Sequence, residues 1–117
     1  MAEGMASENV KGIREVGSAT VVDLAGEIDM HHTPAVHRAL TAACKKQPVR
    51  LVINLEAVAY VDSSGIGALV EVLRAVKKYD GRLHLCGMND RVHSVFEITK
   101  LDNFFQIHDT EAEALTA

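Results

Sequence analysis

Tryptophan is absent, and aromatic residues make up only 4% of the 117 positions. Broad stacking platforms for single-stranded nucleic acid are thereby excluded, and the core has to rest on Val, Leu, Ile and Ala. A basic excess is missing as well: 12 Lys and Arg stand against 16 Asp and Glu, a formal charge of −4. The densest basic clusters are the pairs Lys45-Lys46 and Lys77-Lys78, which is not the footprint of a nucleic-acid binder. Cysteine is limited to Cys44 and Cys86. Their separation fits neither a zinc nor a redox motif, so buried free thiols in a reducing cytoplasm are expected. No run reaches the roughly 18 apolar residues of a membrane span, and the acidic residues Glu3 and Glu8 occupy a terminus where a secretion signal needs bases followed by an apolar stretch. The expectation is a cytoplasmic protein with no membrane and no nucleic-acid partner.

What remains is an ordinary supply for one core. The chain is 48% apolar, and a domain of this size buries on the order of 65% of its unfolded surface without metals or disulfides. Residues 1–9 read as a flexible leader and 10–115 as the single domain. Within it, Val10–Glu15 and Ala19–Ala25 are β-prone runs split by the turn Val16-Gly17-Ser18, which predicts a hairpin. The period then becomes helical at Val36, Ala39, Leu40, Ala43 and Cys44, predicting a helix from about Pro34 to Lys46 with Thr33 as its N-cap. Leu51–Leu55 is nearly continuous in apolar residues, as expected of a central strand buried on both faces by helices.

Next, Ile66, Leu69, Val70, Leu73 and Val76 define the best helical stripe, with Arg74, Lys77 and Lys78 on the solvated side and Asp80-Gly81 closing it. Arg82–Cys86 reads as a strand, Val92, Val95, Phe96 and Thr99 as a helix after Asn89, and Phe104–His108 as a last strand. Core packing is expected for the Phe104-Phe105 pair, with one ring partly exposed. Thr110 and Glu113 have capping-box spacing for a terminal helix too short to be stable alone. The order β, β, α, β, α, β, α, β, α predicts an α/β layer: a mixed, mostly parallel sheet of about five strands, an N-terminal hairpin and about four helices.

Chemistry concentrates at Asp62-Ser63-Ser64-Gly65-Ile66-Gly67, where a loop enters the amphipathic helix. A helix start presents unpaired N–H groups and the positive end of the macrodipole, so a serine there can carry a phosphate. Ser63 is expected as the N-cap and Ser64 as the first helical residue. Gly65 and Gly67 each weaken a helix by about 1 kcal/mol relative to Ala, which close approach of another backbone would offset. Three readings stand on these residues: a capped helix with packing glycines, a serine nucleophile, and a regulated recognition site. The G-x-S-x-G elbow of a serine hydrolase is missing, as is a glycine-rich loop of the G-x-x-x-x-G-K-[ST] type. His31, His32 and His37 lack a spacing that gathers ligands on one helix face, so no metal site and no cofactor are expected; His84, His93 and His108 read as scattered and structural.

Gly26-Glu27-Ile28-Asp29 followed by His31-His32-Thr33, the strand Leu51–Leu55, and Val61-Asp62-Ser63-Ser64-Gly65-Ile66-Gly67 together resemble the STAS domain family, in particular the bacterial anti-sigma factor antagonists. The likeness runs from about Val10 to Leu115 and includes the strand Gly81–Cys86 and the helix carrying Val95-Phe96. It implies a binding protein rather than an enzyme. Its unphosphorylated form would bind an anti-sigma factor that is also a serine kinase, freeing a sigma factor; a serine phosphatase would reverse the kinase. By position the phosphoacceptor is Ser63, with Asp29, Asp62, Ser64, Gly65 and Gly67 at the partner-binding surface. Pro34 departs from the family pattern and bears on partner choice along the first helix. A STAS-like accessory subunit of a lipid or solute transporter is the alternative.

Overall fold

The computed structural model describes residues 8–117. Most of the expected leader lies outside these residues, but Asn9 is already held: its amide nitrogen donates to the carbonyls of Ala25 and Glu27 at 2.8 and 2.9 Å. Strands β1 (Val10–Val16) and β2 (Ala19–Ile28) form the antiparallel hairpin, with Gly17 at a φ of 61° in the turn. There follow α1 (Thr33–Lys45), β3 (Arg50–Val61), α2 (Ser63–Lys78), β4 (Arg82–Cys86), α3 (Asp90–Ile98), β5 (Gln106–His108) and α4 (Glu111–Thr116). The sheet order is β1-β2-β3-β4-β5, every pair after the hairpin being parallel.

A strand order that advances one step at a time, with connections of one hand, places all the crossover helices on the same face. Accordingly Val22, Leu24, Leu51, Ile53, Leu55, Leu83 and Leu85 pack with Val36 and Leu40 of α1, Leu69 and Leu73 of α2, and Val92 and Phe96 of α3 in one core. The opposite face carries a smaller apolar cluster, Val21, Val52 and Cys86 under Ala114 of α4. Strand β3 is thus central and covered on both sides at Leu51–Ile53, while Asn54 is only half-buried. Burial pushes the Cys86 thiol up to about 11, with the nearby acidic Glu111, Asp23 and Glu56 adding to the shift, and burial raises Cys44 too; both are poor nucleophiles.

Several boundaries differ from the sequence expectation. Thr33 is the first residue of α1 rather than its cap, because His32 takes the cap position and the Asp29 carbonyl accepts from the N–H groups of both His32 and Thr33. The last strand begins at Gln106, since Phe104 and Phe105 still fold back onto the Leu101 carbonyl. Phe105 is buried edge-on against Phe96, whereas Phe104 is 51% exposed. His84 and His108 are paired rather than scattered: His84 Nδ1 lies 3.0 Å from His108 Nε2 across the β4–β5 register. Thr110 caps α4 through a bond from the Glu113 N–H at 3.2 Å, as the spacing predicts.

Candidate functional site

Parallel pairing of β2 with β3 ends at Ile28 opposite Val61, so Asp29 and Asp62 leave the carboxyl edge of the sheet side by side. Ligand sites of open α/β sheets sit at this edge. From Asp29 the chain turns into α1, and from Asp62 directly into α2. The tight seat of α2 depends on Gly65: a Cβ there would stand 2.7 Å from Val61 Cγ1 and 3.0 Å from the Ile28 carbonyl. The close backbone approach expected of the two glycines therefore exists at Gly65, which is buried. It does not exist at Gly67, where a Cβ would meet nothing within 4 Å and the residue is exposed.

Asp62, not Ser63, is the N-cap of α2. Its backbone is extended, and its Oδ1 accepts from the N–H groups of Ser64 and Gly65 at 2.9 and 3.1 Å. A carboxylate is a stronger acceptor than a hydroxyl at a helix start, so it displaces the serine from that task. The same Oδ1 accepts the Ser64 hydroxyl at 2.6 Å, and Oδ2 accepts the Met30 N–H at 3.1 Å. Partial burial pushes the Asp62 carboxyl up, but the bonds from the Ser64 hydroxyl and from the Gly65, Ser64 and Met30 N–H groups outweigh it and hold the group below its ordinary value. Asp62 is thus charged, and it joins α2 to the loop that precedes α1.

Ser63 and Ser64 consequently have opposite surroundings. Ser64 is half-buried; besides its bond to Asp62, its oxygen lies 2.9 Å from Thr33 Oγ1. Ser63, the first residue of α2, is exposed, and its hydroxyl has no side-chain bond among the described residues.

Asp29 is committed to its own loop. Its Oδ1 accepts from the N–H groups of His31 and His32 and lies 2.7 Å from His32 Nδ1. Desolvation raises its carboxyl, and the bonds from the His32 ring, the His31 N–H and the His32 N–H together lower it further than that. Its carbonyl accepts the Thr33 hydroxyl at 2.9 Å, so Asp29 reaches Ser64 only through Thr33. Beyond these residues a shallow groove runs between α1 and α2, lined in part by Thr33, His37, Ser64, Gly67 and Glu71. His37 Nε2 bridges it to Glu71 Oε1 at 2.8 Å. Met30, 68% exposed, is a further large apolar side chain of the loop.

Of the residues singled out in the sequence, Asp62, Ser63, Ser64 and Gly65 share one helix turn, Asp29 stands beside them, and Gly67 opens onto the groove. Thr33, the Met30 N–H and the His37–Glu71 bridge escaped sequence reasoning. Thr33 and His37 leave traces there, but Thr33 reads as a cap before Pro34 and His37 raises only the question of a metal ligand, so neither trace points to these contacts. Among the described residues no group of three or more His, Cys, Asp or Glu side chains is placed to hold a metal ion, and no helix is long and apolar enough to cross a membrane.

A mixed five-stranded sheet with its crossover helices on one face, and a polar cluster with an exposed hydroxyl at its carboxyl edge, defines a small α/β domain with one candidate site. The STAS domain model matches residues 10–114, and the chain belongs to that family. The anti-sigma-B factor antagonist of Staphylococcus aureus is 34% identical over 93 residues, covering 79% of this chain and 86% of that protein. The anti-sigma-B factor antagonist of Listeria monocytogenes is 37% identical over 90 residues, covering 77% and 79%. A crystal structure of an anti-sigma factor antagonist from Mycobacterium paratuberculosis superposes with a TM-score of 0.83 at 30% identity, over 90% of this chain and 89% of that one.

Proposed function

We propose that this protein is an anti-sigma factor antagonist: unphosphorylated, it binds an anti-sigma factor with serine kinase activity and so releases a sigma factor, and phosphorylation of Ser63 ends the binding. The observation that carries this reading is the contrast between two adjacent serines, one tied into the fold and the other exposed and without a side-chain bond among the described residues. ATP is held by the kinase. In the transfer, a bond forms between Ser63 Oγ and the γ-phosphorus while the bond to the β-phosphate oxygen breaks; ADP leaves and the hydroxyl proton is lost. A serine phosphatase hydrolyses the ester back. These partners operate in the cytoplasm, and the protein takes part as substrate and binding partner, the chemistry being that of the kinase and the phosphatase.

Phosphorylation adds about −1.5 to −2 charges. The N–H groups of Ser64 and Gly65, which would otherwise receive an anion at a helix start, are already taken by Asp62. The phosphate therefore stays at the docking surface next to a carboxylate that is itself charged, and its desolvation opposes the complex. The test is intact mass after incubation with the kinase and ATP, read beside binding. The parent should gain one phosphate and Ser63→Ala none. Ser63→Ala should bind as tightly as the parent, and Ser63→Asp at least about tenfold more weakly, a change of about 1.4 kcal/mol. Equal binding by Ser63→Asp overturns the charge mechanism. A parent that never gains phosphate favours a fixed interface residue, as in a transporter's accessory subunit.

A further inference from the structure

We infer that Thr33 is a positioning residue for phosphoryl transfer to Ser63, acting through Ser64; the inference rests on Ser63 being the acceptor. Ser63 has no side-chain anchor among the described residues, so its oxygen is placed by the backbone it shares with Ser64. That backbone is fixed by two links to the neighbouring loop and helix: Asp62 with the Met30 N–H, and Ser64 with Thr33.

Proton counting assigns the second link its direction. Three short oxygen contacts connect Asp62, Ser64, Thr33 and the Asp29 carbonyl, at 2.6, 2.9 and 2.9 Å, but only two hydroxyl protons are available to fill them. The Ser64 proton goes to the charged Asp62, the shortest and charge-assisted contact. The Thr33 proton is then the one left for two acceptors, the Asp29 carbonyl and Ser64 Oγ, so whenever the contact with Ser64 carries a hydrogen bond Thr33 is its donor, from the first residue of α1 to the first turn of α2.

The donor is rigid. Threonine has a stiff χ1, and Pro34 fixes the backbone immediately after it. The helices themselves do not need this bond, because Val36, Leu40, Leu69 and Leu73 pack in the common core and His37–Glu71 bridges them further along. Loss of the Thr33 hydroxyl therefore leaves the fold and the groove standing, while the turn that carries Ser63, still capped by Asp62 and seated at Gly65, loses its tie to α1. Phosphoryl transfer is sensitive to such shifts, since a displacement of about 1 Å can lower a rate on the order of 100-fold.

The experiment measures phosphoryl transfer from the kinase to the whole protein under saturating ATP, varying the antagonist. Thr33→Val should lower kcat at least about fivefold with KM within about twofold of the parent, and Thr33→Ser should restore it. Thr99→Val, which removes a comparable threonine bond to the Val95 carbonyl on α3, should change neither. Ser64→Ala should lower kcat as Thr33→Val does, and the double variant should be no slower than the slower single one, as for two members of one link. Parental kcat in Thr33→Val, a loss confined to KM, no rescue by Thr33→Ser, or additive losses in the double variant each overturn the role of Thr33. Phosphorylation of the parent on Ser63 together with any of those results leaves the switch reading intact. Failure of the parent to accept phosphate, or phosphate persisting on Ser63→Ala, removes both.

Discussion

Two glycines two residues apart in α2, and so on nearly opposite faces of the helix, separate packing from exposure at the level of single residues. Gly65 is backed against Val61 and the Ile28 carbonyl, and backbone there cannot yield as a flexible side chain would. Gly65→Ala should destabilise the protein by about 1–3 kcal/mol through overpacking. Gly67 has open space and helical backbone, so Gly67→Ala should stabilise by up to about 1 kcal/mol through helix propensity. Urea denaturation reads both, and shifts of the same sign would refute the seating of α2 described above. The sequence could place these residues at a helix start but could not rank the caps. Aspartate and serine are both good N-caps, and the choice fell to Asp62 because the Met30 N–H, distant in sequence, comes to its other oxygen. The same blindness applied to Thr33, whose partner lies 31 residues away.

Elements were legible wherever a period sustained itself. Helices α1, α2 and α3 follow their apolar spacing, because each buries one stripe against the sheet, and the hairpin and β4 also lie where they are expected. Strand β3 runs on to Val61, past the apolar run, because the C-terminal part of β2 continues to pair with it and no local preference announces that. At the other extreme, α4 is six residues long and has too few turns to persist alone. It is pinned by Glu111, which bonds Arg14 of β1 and Asn54 of β3, and by Arg50, whose guanidinium donates to the Ala114 carbonyl at 2.8 Å. Those bonds from Arg14 and Asn54 hold the Glu111 carboxyl below its ordinary range against partial desolvation. Glu111→Ala should therefore loosen the element more than the fold. Amide hydrogen exchange in α4 should speed up about fivefold, corresponding to roughly 1 kcal/mol, with α2 unchanged. Equal acceleration in both helices would mean that α4 belongs to the global cooperative unit.

Across the whole molecule, acid stability depends on a group remote from the Ser63 turn. His84 is only 3% exposed, and its Nε2 has no hydrogen-bond partner among the described residues. Burial, helped by the positive charges of Arg50, His108 and Arg82, pushes its pKa from the ordinary 6.5 down to about 4. The unfolded chain thus binds a proton near pH 6.5 that the folded chain refuses until about pH 4. Stability is full above 6.5 and declines as pH falls through that window, by an amount on the order of 3 kcal/mol at 1.36 kcal/mol per unit. Asp29, Asp62 and Glu111 act in the same direction but lower down. Their folded pKa values are depressed, so their contribution is present above the ordinary carboxylate range and is lost as pH drops through the folded values. Urea titrations at pH 7 and pH 4.5 should show the parent losing most of the His84 contribution, with most of the carboxylate contribution lost only below that range. His84→Gln should flatten that slope, and if the variant proves too unstable to compare, the ring resonances of His84 in the parent should remain those of a neutral imidazole down to about pH 5. A flat parental profile between 6.5 and 4.5, or a His84 ring that gains its proton near 6.5, would place the acid sensitivity elsewhere.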